Sequence, residues 1–243
     1  MKRAVSATTL WLSERFVSLQ GEGVSMGAPS AFVRLGRCNL ACGFCDTPYT
    51  WDFERYVFDD EISAIEADEL CAWLLENSPG RIIWTGGEPL IQQKQMVEVI
   101  RRLDASREAA GAERDVLEVE TNGTVRPHPE LLERIDQWNV SPKLAGSGET
   151  VERRLVDRAL GVFADSPRAR FKFVLSDEAD EREALELSDR LKLARDRVIF
   201  MPEARDASEL RERSPWVAAA ALRARVRFSG RLHLELYGGR RGT

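Results

Sequence analysis

The stretch Arg81-Ile82-Ile83-Trp84-Thr85-Gly86-Gly87-Glu88-Pro89 decides the fold. An apolar run of strand length, centred on Ile82, Ile83 and Trp84, is cut by two glycines, and Pro89 cannot continue a strand ladder. Residues 93–103 then read as a helix. Strand, glycine turn and helix make one βα unit, the building block of a parallel sheet.

The unit recurs in both directions. Downstream, a strand at 116–120 ends in Thr121-Asn122-Gly123-Thr124, and a short helix from Pro129 leads to a strand at 137–141 followed by Pro142-Lys143. A helix around 151–160 and a strand at 170–175 come next, then a long charged helix at 177–193. A strand at 197–201 and helical segments between 207 and 224 follow. Leu232-His233-Leu234-Glu235-Leu236 alternates and reads as a last short strand before a Gly/Arg tail. Upstream, residues 66–75 carry Leu70, Trp73 and Leu74 at helical spacing, with Cys71 as a half-buried apolar residue among them. Residues 46–60 are aromatic-rich and irregular. Strands are expected at 30–35 and within 10–23, where Gln20-Gly21-Glu22-Gly23 forms the turn. About six βα units in succession, joined by right-handed crossovers, curl into a full or partial barrel. No repeat or low-complexity linker divides the chain, so residues 1–243 are expected to form one α/β domain. The polar and glycine-rich motifs fall after strands, on the loops where barrel enzymes place their active sites.

Composition narrows the function. The 243 residues are 43% hydrophobic and 31% charged, ordinary for a globular protein, and the net charge of −5 gives no reason to expect capture of nucleic acid or anionic membrane. Arg223-Ala224-Arg225-Val226-Arg227 reads as a solvated face or edge strand. Residues 1–30 lack the apolar core of a signal peptide, and no apolar run is long enough to span a bilayer. Four cysteines, three of them clustered, do not form a secreted disulfide framework, so the cytoplasm is the expected compartment.

Those three cysteines stand in Cys38-Asn39-Leu40-Ala41-Cys42-Gly43-Phe44-Cys45-Asp46-Thr47, spaced C-x3-C-x2-C with no fourth nearby. Structural zinc takes four ligands, usually in two separated pairs; here a distant His128 or His233 would have to complete the set. Three buried small residues are a further alternative. A four-iron cluster held by three thiolates leaves one iron open to a small molecule, which is what a cluster needs to do chemistry.

The spacing resembles that of the radical S-adenosylmethionine (SAM) enzymes, in which the open iron chelates SAM. Gly86-Gly87-Glu88-Pro89 is similar to their GGE motif, which implies cofactor binding through Gly87 and Glu88; the plain alternative is a tight strand-to-helix turn. Glu120-Thr121-Asn122 resembles a SAM-contacting segment, with an Asn-Gly turn as the alternative. Ser141, Pro142 and Lys143 end the next strand, where a lysine can meet the SAM carboxylate or stand on the surface.

Within that superfamily, Phe16-Val17-Ser18-Leu19-Gln20-Gly21-Glu22-Gly23, Phe32-Val33-Arg34-Leu35, Cys45-Asp46-Thr47, Ser141-Pro142-Lys143 and the tail from Arg231 to Gly242 resemble the 7-carboxy-7-deazaguanine synthases. The resemblance covers most of the chain and is least diagnostic over 144–225. It implies a partial (β/α)6-type barrel with an N-terminal substrate-binding segment and a short tail, and the conversion of 6-carboxy-5,6,7,8-tetrahydropterin to 7-carboxy-7-deazaguanine with loss of ammonia, in 7-deazapurine and queuosine biosynthesis. It also implies a 4Fe-4S cluster on Cys38, Cys42 and Cys45, SAM, magnesium, a homodimer, and an electron donor such as flavodoxin or ferredoxin. Leu19, Gln20, Gly21 and Glu22 would then line the pterin site, whose edge is a row of donors and acceptors. Arg34 would pair with the substrate carboxylate, Thr47 would give magnesium an oxygen, and Thr85 would touch substrate. Outside the resemblance, Arg34 reads as a strand-edge surface arginine and Thr47 as a turn or cap, while His233 either contacts substrate or faces the core. Tyr237-Gly238-Gly239-Arg240-Arg241-Gly242 departs from the family's Trp-Gly-Asn-x-Arg-Gly tail, and residues 49–60 have no counterpart with a role. Two other functions compete: an activase that makes a glycyl radical on a partner protein, and an iron–sulfur electron carrier without catalysis.

Overall fold

The computed structural model describes residues 7–243. A single nine-stranded sheet organises them. Strand β1 (Thr9–Leu19) pairs antiparallel with β2 (Pro29–Leu35) and with the short β3 (Ser63–Glu66) on its other side. From β2 onward every neighbour is parallel: β4 (Arg81–Gly86), β5 (Val116–Thr121), β6 (Gln137–Val140), β7 (Ala169–Leu175), β8 (Val198–Pro202) and a two-residue β9 (Arg227–Phe228). The edges β3 and β9 do not pair with each other among the described residues, so the barrel is partial, with six full parallel strands, as the resemblance implies.

Helices fill the crossovers: α1 (Phe58–Glu61) and α2 (Ala67–Asn77) before β4, α3 (Gln93–Ala109) after it, α4 (Pro129–Arg134) after β5, and α5 (Val151–Arg154) with α6 (Asp157–Asp165) after β6. The last are α7 (Glu178–Arg190), α8 (Ala207–Ala224) and α9 (Leu232–Tyr237). Caps set several starts. Asp177 accepts from the Ala179 and Asp180 amides at α7, and Asp206 does the same for Ser208 and Glu209 at α8. At α4, Pro129 takes the first position and the His128 side chain accepts from the Glu130 amide, so this histidine is a helix cap. No helix among the described residues is long and apolar enough to cross a membrane.

The strands have two faces, because successive side chains point to opposite sides of a sheet. Val33, Leu35, Ile82, Trp84, Leu117, Val119, Trp138, Val140, Phe171, Phe173 and Phe200 face the helices and form the main core with Leu70, Val99, Ile100 and Val217. Cys71 lies in that core, 5% exposed. The alternate residues Arg34, Thr85, Glu120, Lys172 and Met201 face inward and line the interior. The fold therefore stands on its outer layer and leaves the inner one to polar chemistry.

Two expectations are corrected. Leu232–Tyr237 is a helix, although its apolar residues alternate. Only Leu234 is buried there, against Ala204 and Leu210, and Leu236 is 52% exposed, so no strand face is satisfied. The left-handed Gly238 then caps the turn, its amide bonding the Leu234 carbonyl. The helix expected at 151–160 is broken in two at Leu155-Val156, beside Arg154, whose buried guanidinium holds the Lys143 carbonyl and Glu183. Between residues 46–60 and α2, where the sequence offered no element, lies β3, held to the start of β1 through pairs such as Leu10 with Ile65.

Candidate active site

A cavity of about 720 Å³ opens at the carboxyl ends of the parallel strands, within the range of sites for small molecules. A smaller hollow of about 330 Å³ lies outside the barrel between α3 and α4, where Arg101 pairs with Glu130 and Arg134 with Asp104. Its charges satisfy one another. The chemistry lies in the larger space, which receives Leu19, Gln20, Gly21, Glu22, Arg34, Cys38, Cys42, Cys45, Thr47, Thr85, Gly87, Glu120, Ser141, Lys143 and His233. Of the expected site residues, only Glu88 and Pro142 do not line it.

The cysteine loop leaves β2 and is held from two sides. Asn122 donates to the Asn39 side chain at 3.1 Å, and Asn39 donates to Thr124 at 2.8 Å. From the opposite side Gly43 N–H reaches the Ser147 carbonyl at 3.0 Å, Arg153 reaches the Asn39 carbonyl at 2.7 Å, and Glu149 accepts from the Ala41 amide. Two sulfurs receive N–H donors: Cys38 from the Leu40 amide at 3.4 Å and Cys45 from Trp51 Nε1 at 3.3 Å. Burial pushes the Cys38 thiol up to about 12 and raises that of Cys42. Such thiols become thiolates when a metal replaces the proton. Among the described residues no three acidic, histidine or cysteine side chains converge on one point as a single metal ion demands. Three half-buried thiols around one cavity wall, two of them with donors aimed at their sulfurs, suit a cuboidal cluster in which each thiolate meets its own iron.

The glycine motif lines the cavity and also lets a neighbouring backbone approach closely. Gly86 has φ +134°, and a Cβ there would stand 2.0 Å from the Leu35 carbonyl oxygen; one on Gly87 would stand 2.1 Å from that of Arg37. Both glycines admit the root of the cysteine loop, which they bond through Gly87 N–H to Leu35 O (3.1 Å) and Glu88 N–H to Arg37 O (2.9 Å). Glu88, expected at the cofactor, is fully buried and does not line the cavity. Its carboxylate accepts from Leu90 N–H, Thr121 Oγ1 and Asn122 N–H at 2.7–3.0 Å, and burial raises its pKa to about 7. It braces Asn122, which in turn holds the cysteine loop.

The opposite wall is a buried ionic network. Lys172 Nζ meets Glu22 at 2.5 Å and Glu120 at 3.0 Å. Arg231 bonds Glu22 at 2.9 Å and also Asp46. Burial opposes ionisation of Glu22, yet Lys172 and Arg231 hold its carboxyl far below the usual carboxylate range. Burial, with Glu22 as a like-charged neighbour, raises Glu120, which accepts from Gln20 at 3.2 Å and Asn139 at 2.9 Å. Burial lowers the pKa of His233 and favours its neutral imidazole, packed so closely on Gly21 that a Cβ there would lie 2.3 Å from Nδ1. Arg34 gives only Nε to Glu14, at 2.8 Å. Thr47 Oγ1 lies 3.8 Å from Cys45 Sγ, Lys143 donates to Ser141 at 3.2 Å, and His233 sits on α9.

Lys172, Arg231, Asp46 and Trp51 were not singled out from the sequence. The alternation Arg170-Phe171-Lys172-Phe173 marks Lys172, since a lysine between two core phenylalanines must point to the other face. Residues 49–60 acquire a place as the cavity's roof, where Tyr49, Trp51, Arg55 and Tyr56 line it together with residues 239–243 of the tail.

Comparison with known proteins agrees with this geometry. Residues 33–198 match the Radical SAM superfamily. The chain is 38% identical over 231 residues to the 7-carboxy-7-deazaguanine synthase of Pyrobaculum aerophilum, covering 94% of this chain and 95% of that protein. It is 36% identical over 247 residues to the 7-carboxy-7-deazaguanine synthase of Hyperthermus butylicus, covering 96% of each. The crystal structure of QueE from Escherichia coli has the same fold, with a TM-score of 0.67 at 23% identity over 93% of this chain and 95% of that one.

Proposed function

The chain belongs to the radical SAM superfamily and, within it, to the 7-carboxy-7-deazaguanine synthases, and from that membership we propose that it converts 6-carboxy-5,6,7,8-tetrahydropterin to 7-carboxy-7-deazaguanine with loss of ammonia. The observation that carries this reading is the two-sided cavity, with three thiols on one wall and Gln20, Glu22, Arg34 and His233 on another. An activase would need a groove for a protein loop, and an electron carrier would need no cavity of this kind.

When bound, the 4Fe-4S cluster and SAM supply a carbon-centred radical able to take a hydrogen atom. Cys38, Cys42 and Cys45 would hold the cluster. Gly87, Ser141, Lys143 and Glu120 would hold SAM, Lys143 meeting its carboxylate and Glu120 accepting from a hydroxyl. Glu22, kept ionised, accepts from the N–H edge of the pterin, and Gln20 can both donate and accept beside it. Leu19, Gly21 and Thr85 shape the same wall, and neutral His233 packs behind Gly21. Arg34, whose Nε is fixed by Glu14, presents its terminal nitrogens to the substrate carboxylate. Thr47 would give magnesium one oxygen. Among the described residues no cluster of carboxylates stands there, in keeping with that ion's habit of taking few protein ligands. Orientation is the main task of these side chains, because a radical held loosely attacks whatever lies nearest.

The finer expectations stay part of this proposal: a homodimer, reduction by a flavodoxin or ferredoxin, and residence in the cytoplasm, which its free cysteines suit. Anaerobic reconstitution with iron and sulfide, followed by mass spectrometry of reactions containing SAM, reductant and the carboxypterin, tests the reading. Formation of 7-carboxy-7-deazaguanine and ammonia is expected; an intact cluster that leaves the pterin unchanged would refute it.

A further inference from the structure

Lys172 projects inward from β7 with a side chain only 5% exposed. It joins carboxylates that are far apart in sequence: Glu22, in the turn after β1, and Glu120, at the end of β5. Resting on the functional reading above, we propose that Lys172 is a positioning residue that couples the pterin-reading carboxylate of Glu22 to the SAM-reading carboxylate of Glu120, so that filling either subsite prepares the other.

The partners are unequal. Glu22 has a second cation in Arg231, whereas Lys172 is the only cation paired with Glu120 among the described residues; Gln20 and Asn139 supply neutral donors. An ionised carboxylate has about four lone-pair positions. Glu120 uses three of them and Glu22 two, so each retains capacity for a ligand. Around this knot also stand Glu118, occupied by Arg81, and Asp46, Arg231 and His233. Without the ammonium, Glu22 and Glu120 would face each other across a buried space with one cation fewer, an arrangement relieved by protonation or by the side chains moving apart. Either response spoils the acceptor at one subsite and shifts it at the other. With the ammonium present, a ligand that orders one carboxylate orders the lysine and thereby its mate.

This predicts reciprocal binding between two small molecules that need not touch. Titration calorimetry on the reconstituted, unreduced enzyme, which cannot turn over, measures SAM affinity with and without the carboxypterin. In the native enzyme the pterin is expected to tighten SAM by about tenfold, an ordinary coupling. Lys172→Met, similar in length but uncharged, is expected to bring that ratio to about one while iron content stays native; a merely structural lysine would change stability and not the ratio. Glu120→Gln cuts the same tie from its other end and is expected to do likewise. A native enzyme whose SAM affinity ignores bound pterin, or either variant with native iron and a native ratio, would overturn the inference. A native enzyme that does not bind the carboxypterin would overturn the functional reading instead.

Discussion

The guanidinium of Arg241 lies 3.4 Å from the centre of the Tyr49 ring, and the same side chain pairs with Glu61 at 2.9 Å. One arginine of the tail thus fastens both ends of the stretch that roofs the cavity. The tail departs from the pattern that the resemblance leads one to expect, yet Gly239, Arg240 and Arg241 line the site. Replacing Arg241 by Ala removes a cation–π contact and a half-exposed ion pair, together worth ~1 kcal/mol. The expected result is a rise of about five-fold in the KM for the pterin with little change in kcat, measured by anaerobic steady-state kinetics.

Each loop cysteine is expected to be indispensable and Cys71 dispensable. Cys38→Ala, Cys42→Ala and Cys45→Ala should each lose iron and the visible absorption of the cluster. Cys71, buried in the core beside Leu70 and Leu74, should tolerate Ser with a full iron complement and a stability loss of ~1–2 kcal/mol, since a hydroxyl is placed in apolar surroundings. Iron analysis and thermal melts separate the two classes.

Arg34→Lys keeps the charge and loses the planar fork, and it also loses the geometry by which Glu14 fixes Nε. Affinity for the carboxypterin is expected to fall by about ten-fold or more while SAM affinity is unchanged, as read by calorimetry. Equal loss for both ligands would remove Arg34 from the substrate subsite.

Gly87→Ala places a methyl 2.1 Å from the Arg37 carbonyl oxygen, a backbone atom that cannot swing aside. The loop bearing Cys38 has to move, so reconstituted iron should fall well below the native complement even where the protein remains folded by circular dichroism. A Gly87→Ala protein with native iron would show that the loop has slack.

Acid should act partly through Glu22. Its folded pKa is depressed below the ordinary 4.5, so its contribution to stability is complete above that value and is lost as the pH falls through and beneath it. Native protein should lose Tm steeply from about pH 5 downward. Glu22→Gln should melt lower at pH 7 and converge on the native curve in acid, with Lys172 and Arg231 left short of one anion in the variant.

Much of this was readable from the residues because local and global signals agreed. Ile82-Ile83-Trp84 before two glycines has one sensible conformation, and the spacing of Cys38, Cys42 and Cys45 marks them as one group, all three of which line the cavity. Where the reading failed, a distant contact outvoted a local pattern. Leu232 to Leu236 alternates like a strand, but no strand edge receives it; Leu234 finds a pocket beside Ala204 and Leu210, and Gly238 ends the helix. The partners of Glu88 were not legible either: its donors come from Leu90, Thr121 and Asn122, two of them a full βα unit away. The ionic knot of Glu22, Lys172 and Arg231 was hidden for the same reason, its members being 150 and 209 residues apart.

The unclosed sheet has a consequence for how the molecule senses its own occupancy. Its two flanks meet through residues 21–23 and 229–232: Gly23 N–H bonds Ser229 Oγ at 2.8 Å, Leu232 N–H bonds the Gly21 carbonyl at 2.8 Å, and Glu22 holds Arg231. This seam is also the wall against which the substrate would rest. A ligand there is a stitch across a line where, among the described residues, the sheet's own ladder is missing, so occupancy and closure of the seam are coupled. The filled molecule should melt higher in proportion to the logarithm of ligand concentration, and hydrogen exchange along the seam should slow before it slows anywhere else.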